Sequence, residues 1–139
     1  MYPENLVAPM RQELVDLGFR EWKSPVEVER ELPTAKGVSL VVINSVCGCS
    51  AASARPGLGI ALQHGPRPDH LFTVFAGNDV EATAVVREHF LGEPPSSPSF
   101  GILVDGKFHG MIHRKDIQGR APEEVASLVQ GAVESARSV

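Results

Sequence analysis

The apolar run Val38-Ser39-Leu40-Val41-Val42-Ile43 reads as a buried strand, and the segments around it decide what sheet it can join. Ahead of it, Leu6, Met10, Leu14 and Leu17 recur at helical spacing and Gly18 suits a C-terminal stop, which predicts a helix over about residues 5–17. Pro9 fits that helix only within the first turn. Ser24-Pro25 supplies a cap and first position for a second short helix ending near Leu32. After the strand, a helix is expected from about Gly48 to Gln63, bent at Arg55-Pro56-Gly57. His70–Ala76 reads as a strand, and Asp79–Phe90 as a helix capped by Asn78 or Asp79. Phe100–Val104 and Lys107–Ile112 flank Asp105-Gly106, a strong two-residue hairpin signal. Pro122 opens a last helix to about Ala136.

The order is β-α-β-α-β-β-α behind two leading helices. Strands separated by helices favour parallel pairing with right-handed crossovers, and the hairpin adds an antiparallel edge. The expected fold class is therefore α/β: a three-layer α/β/α sandwich around a mixed four-stranded sheet, with two extra N-terminal helices. It resembles the thioredoxin fold, although ferredoxin-like arrangements share parts of the order. One domain is expected over residues 1–139, with no repeat or long linker.

Charge and hydropathy narrow the partners. The net charge is −4 with no block of like charge, which argues against nucleic acid. No apolar stretch approaches the roughly 20 residues of a membrane span. Met1-Tyr2-Pro3-Glu4-Asn5 lacks the basic and apolar regions of a secretory leader, so a cytoplasmic protein is expected. In a reducing compartment, two close cysteines are more often redox-active or metal-binding than a structural staple.

Cys47 and Cys49 are the only cysteines, and they sit where the first strand ends and Ser50-Ala51-Ala52-Ser53-Ala54-Arg55 begins a helix. The partial positive charge at a helix N-terminus favours thiolate over thiol. On a regular helix, residues two apart point about 200° from each other, so pairing these sulfurs requires irregular backbone. Gly48 is expected to supply it. The resulting ring should be strained and oxidising, since about 30 mV corresponds to roughly 1.4 kcal/mol for a two-electron couple. Cys47, nearest the strand, is expected to be the more exposed nucleophile, and Cys49, one residue deeper, the resolving thiol. Zinc wants four ligands and there is no second cysteine pair. His109 and His113 lie about 13 Å apart if both are in a strand, so no metal is expected.

Pro98 stands at the head of the third strand, where no ladder donor is needed. In thioredoxin-like proteins this place carries a cis proline facing the cysteines, so a cis Ser97-Pro98 bond is expected by resemblance. Counting back from a Val104–Lys107 pair sets Pro98 opposite His113. His113 and Arg114 then return to the proline end of the sheet, where Arg114 or Arg55 could stabilise a thiolate or an anionic substrate group. Taken singly, each arginine reads slightly better as a solvated surface residue, and His113 alone is a weak signal for proton transfer. His64, His70 and His89 read as surface residues.

Asn44-Ser45-Val46-Cys47-Gly48-Cys49, Ala54-Arg55-Pro56, Phe75-Ala76-Gly77, Asp79, Glu81-Ala82-Thr83-Ala84 and Glu93-Pro94-Pro95-Ser96-Ser97-Pro98-Ser99 together resemble the bacilliredoxin family. Pro9-Met10-Arg11-Gln12-Glu13-Leu14, His113-Arg114, Ile117 and Gly119 fit it in the same order. The resemblance implies a thioredoxin-like fold and cytosolic thiol–disulfide exchange in bacteria that use bacillithiol. It implies that Cys47 attacks the mixed disulfide of an S-bacillithiolated client protein and takes the bacillithiol onto itself. Cys49 or a second bacillithiol then completes the cycle. Gly48, Ser97, Pro98 and Arg114 would form the substrate-binding surface, with bacillithiol as co-substrate and no tightly bound cofactor. Some relatives have been described as disulfide isomerases, which an oxidising pair would permit, so a protein disulfide isomerase or general disulfide reductase is the alternative within redox chemistry. A thiolate metal-binding module is the alternative from another class.

Overall fold

A computed structural model describes residues 1–139. Its elements in chain order are α1 (Glu4–Asp16), β1 (Arg20–Glu21), α2 (Pro25–Glu31), β2 (Val38–Asn44), α3 (Arg55–His64), β3 (His70–Phe75), α4 (Val80–Glu88), β4 (Ser99–Val104), β5 (Lys107–Ile112), α5 (Arg114–Ile117) and α6 (Pro122–Arg137). A π-helical turn, Ser50–Ala54, leads into α3.

The sheet runs β1-β3-β2-β4-β5, with β1, β3 and β2 parallel and β4 and β5 antiparallel. β2 is central, and all seven of its residues are buried. Its side chains alternate between two cores. Val38, Leu40 and Val42 pack with Leu14 of α1, Leu58 of α3 and Val125, Val129 and Val133 of α6. Val41 and Ile43 pack on the other face with Val28 of α2 and Ala82 and Val86 of α4. A strand buried on both faces needs helices on both sides, and the α/β/α sandwich follows. Gly57 lets α3 lie close on α6: a Cβ there would stand 2.7 Å from the Val125 side chain and 3.0 Å from the Pro122 carbonyl oxygen. No helix is long and apolar enough to cross a membrane.

Four sequence expectations need correction. The sheet has five strands, not four, because Arg20–Glu21 pairs with Phe72–Thr73 of β3. Two charged residues carry no strand periodicity, so only tertiary pairing reveals them. Pro9 lies inside α1 rather than in its first turn. The helix expected from Gly48 runs on to His64, but its irregularity is a π-helical turn over Ser50–Ala54, just ahead of Pro56, rather than at Arg55-Pro56-Gly57. Finally, the hairpin pairs Val104 with Lys107 as expected, its turn made by Asp105 at φ 51° and Gly106 at φ 78°. A bulge then shifts the register, so that Ile102 faces Gly110 and Phe100 faces Ile112. Continuing this register sets Ser99, not Pro98, opposite His113.

The topology brings one edge of the sheet together. β2 ends at Asn44 beside Phe75 of β3, and Ser99 opens β4 beside Ile43. The cysteine loop, the Ala76–Asp79 turn, the Ser97-Pro98 segment and the start of α5 all emerge there. Arg11 buttresses this end from beneath. Its buried guanidinium pairs with Glu4, Glu21 and Asp79, and its carbon lies 5.2 Å from the centre of the Phe75 ring. Asp79 thus starts α4 without capping it, its carboxylate being taken by Arg11.

Candidate active site

Both cysteines are free thiols, half-buried, with their sulfurs 2.9 Å apart. Their electrostatic surroundings distinguish them. Burial pushes the Cys47 thiol up, but hydrogen bonds from the Cys49 sulfur, Ser45 and the backbone N–H groups of Ser50 and Cys49 outweigh it and hold Cys47 below the ordinary thiol value. The two backbone donors belong to the first turn of the helix, as the strand-to-helix placement led one to expect, while Ser45 stands in the loop before it. Cys49 moves the other way. Burial, its hydrogen bond to Cys47 and the charge on Cys47 push it up, and Arg114 opposes them. Of the two, Cys47 is the thiol that ionises more readily.

This has a measurable consequence. Alkylation of the reduced chain with iodoacetamide, followed residue by residue by mass spectrometry, should label Cys47 first as pH rises. Its rate should level off at a pH where that of Cys49 is still climbing, because only thiolate reacts. The reverse order would refute the assignment of the charge to Cys47.

Gly48 is not at a strained position. It is exposed, its φ is not in the left-handed region, and a Cβ there would meet nothing within 4 Å. The free thiols therefore approach without glycine's extra freedom: Cys47 lies just ahead of the helical backbone that begins at Gly48, so the two sulfurs are not both held on a regular helix. What Gly48 contributes in this state is an open face beside the sulfurs.

Arg55 overturns its reading as a solvated surface residue. It is 4% exposed. Nη1 donates to Asn44 Oδ1 and the Ser45 carbonyl at 3.0 Å and to Ser50 Oγ at 2.9 Å, while Nε lies 3.2 Å from Glu13 Oε2 of α1 in an ion pair without an aligned hydrogen bond. Asn44 Oδ1 also accepts from the Ser45 N–H, and its Nδ2 donates to the Met10 carbonyl. Ser45 Oγ in turn accepts from the Cys47 N–H at 3.3 Å. Arg55 therefore clamps both ends of the cysteine loop from below. The paired Asn44 and Arg55 carried no signal for this in hydrophobic periodicity.

Above the sulfurs lies a cleft of about 230 Å3 whose walls include Tyr2, Ser45, Cys47, Gly77, Ser97 and Arg114. The Ser97-Pro98 bond is cis, and Pro98 is buried. Of the residues expected at the site, Cys47, Ser97 and Arg114 share this cleft; Cys49 lies beside it, against Cys47. Tyr2 was missed, since an N-terminal aromatic gives no hint that Asn78 ties its backbone to the Gly77 turn. His113 is not free to serve the thiols. Its Nδ1 meets Ser96 Oγ and its Nε2 meets Glu93 Oε1, both at 2.8 Å, so it ties the proline segment to the start of α5.

A family of disulphide isomerases matches residues 2–136. A bacilliredoxin of Symbiobacterium thermophilum is 52% identical over 128 residues, covering 92% of this chain and 91% of its own, and one of Geobacillus kaustophilus is 50% identical over 126 residues, covering 91% and 86%. The chain belongs to the bacilliredoxin family. Its fold is that of thioredoxin: mitochondrial thioredoxin 3 of Saccharomyces cerevisiae superposes with a TM-score of 0.56 at 15% identity, over 85% of this chain and 95% of that one. An Entamoeba histolytica thioredoxin mutant gives 0.56 at 16% identity, over 85% and 99%. As a bacilliredoxin with this fold, the chain is a thiol–disulfide oxidoreductase.

Proposed function

We propose that the chain removes bacillithiol from S-bacillithiolated client proteins, with Cys47 as nucleophile and Cys49 as resolving thiol. The observation that carries this reading is a pair of free sulfurs 2.9 Å apart at the end of a strand, one of them lining an open cleft. The Cys47 thiolate attacks the bacillithiol sulfur of the client mixed disulfide. That disulfide breaks, the client sulfur leaves as thiolate and takes a proton from solvent, and a Cys47–bacillithiol disulfide forms. Cys47 is then uncharged. Burial still holds Cys49 up, but the hydrogen bond and charge of Cys47 that added to it disappear, and Arg114 then favours the Cys49 thiolate against burial alone. Cys49 thus gains nucleophilicity only once there is an adduct to resolve. It attacks Cys47 Sγ, expels bacillithiol and leaves a Cys47–Cys49 disulfide, which two electrons from an external thiol pair return to the reduced state.

Family membership supports the thiol exchange, and the name of the similar proteins supports bacillithiol as the cap. The description of the family as disulphide isomerases favours a second reading, in which protein disulfides themselves are the substrates. The reduced chain should release the free thiol of a client carrying a single bacillithiol cap, and do so faster than it reduces or reshuffles a protein disulfide. Failure on the capped client with activity retained on the protein disulfide would decide for the isomerase.

A further inference from the structure

The Cys47 cleft does not end at Arg114. On the far side of that side chain lies a larger pocket of about 500 Å3, walled by Glu93, Ser96, His113, Arg114, Lys115 and Gln118. Arg114 lines both spaces, and Ser96 in one adjoins Ser97 in the other. The volume falls in the range of small-molecule sites, yet the walls are almost wholly polar. Its charges are unevenly committed. Glu93 is engaged by His113 at 2.8 Å, and the Asp116 carboxylate accepts the His113 backbone N–H at 3.1 Å. Arg114 and Lys115 are in no ion pair and are exposed. In a chain of net charge −4, this leaves two free cations beside the cysteine cleft.

Resting on the reading of Cys47 as the sulfur that takes up a small-thiol cap, we propose that this pocket holds the body of that thiol, and that the body is anionic. Arg114 and Lys115 are positioned to pair with its carboxylates, and Ser96 and Gln118 can hydrogen-bond its polar groups. His113, locked between Glu93 and Ser96, keeps the wall preformed, so little ordering is needed on binding. The client protein would then leave through the open face at Gly48, where an added Cβ would meet nothing within 4 Å. Cap and client would be gripped on different sides of Cys47, which directs attack to the sulfur of the cap.

The test uses the full reduced chain and one client cysteine capped either with mercaptosuccinate, a dicarboxylate thiol, or with neutral 2-mercaptoethanol. The wild type should prefer the anionic cap in kcat/KM. Lys115→Glu and the Arg114→Gln/Lys115→Gln double variant should lower the ratio of the two values by about 10-fold or more, chiefly through KM, as expected for one or two charge-assisted contacts. Parallel change on both caps, leaving the ratio fixed, would overturn the proposal. So would a loss that follows acidic residues placed beside the client cysteine, which would make the pocket a client-contact surface. A bacillithiol-capped client forms a separate arm. If it alone is refused while the charge preference among the simple caps persists, the assignment to bacillithiol fails and the anionic pocket stands.

Discussion

Cys47→Ser is expected to reduce release of a thiol cap from a client to background, a fall of at least about 10³-fold, as for removal of other enzymes' nucleophiles. A hydroxyl at this position is held by the same helix-end donors but does not ionise near neutrality, and only a thiolate exchanges with a disulfide. Cys49→Ser has a different signature. The first step survives, the second does not, and the Cys47–bacillithiol adduct should accumulate as a one-to-one mass increase. Added free bacillithiol should clear it. Cys49→Ala separates the two jobs of that residue further. It deletes the hydrogen bond that most strongly favours the Cys47 thiolate, so its alkylation profile should move to higher pH as well as trapping the adduct. Intact mass spectrometry after one oxidant pulse with bacillithiol reads all three variants. An adduct on Cys49 with Cys47 left bare would invert the roles; absence of any adduct in Cys49→Ser would remove the resolving step.

The legible part of this molecule is the part written in local chemistry. Periodicity marked the long helices, Asp105-Gly106 marked the hairpin, and Cys47-Gly48-Cys49 after an apolar strand marked where to look. The hidden part is held by long-range polar contacts. β1 is a strand only because Phe72 and Thr73 offer it an edge, and no property of Arg20-Glu21 announces that. The bulge around His109 moved the register by one residue, because a turn type fixes pairing only until the first irregularity. Arg11 and Arg55 look alike in sequence to any solvated arginine, yet each is buried against carboxylates or carbonyls contributed by other elements. Arg114, to which the same bland reading applied, is indeed exposed, but at the cleft. Sequence distance alone could not tell these arginines apart.

Arg55→Leu should cost the fold about 3–5 kcal/mol, the largest loss expected from a single change outside the packed cores. The leucine fills much of the same space, so the effect is polar rather than a cavity. The Ser45 carbonyl and Ser50 Oγ lose a charged donor in a buried setting, and Asn44 Oδ1 keeps only the Ser45 N–H and Ser50 Oγ. Each orphaned group costs about 1–3 kcal/mol. Glu13 adds little, being half exposed and free to turn to water. Arg55→Lys returns the charge on a single nitrogen, as Nη1 is, but its ammonium sits on a differently shaped stem and cannot take the same position, so it should recover part of the loss. Denaturant unfolding measures the stability, and the Cys47 alkylation profile shows whether the clamp also sets the site. Ser45 is held by Arg55 through its carbonyl and holds Cys47 through its hydroxyl. Arg55→Leu should therefore raise the pH at which Cys47 reacts, even under conditions where the variant is fully folded. A drop in stability with an unchanged alkylation profile would make Arg55 a structural strut only. A drop of less than about 1 kcal/mol would mean that water replaces the guanidinium without penalty.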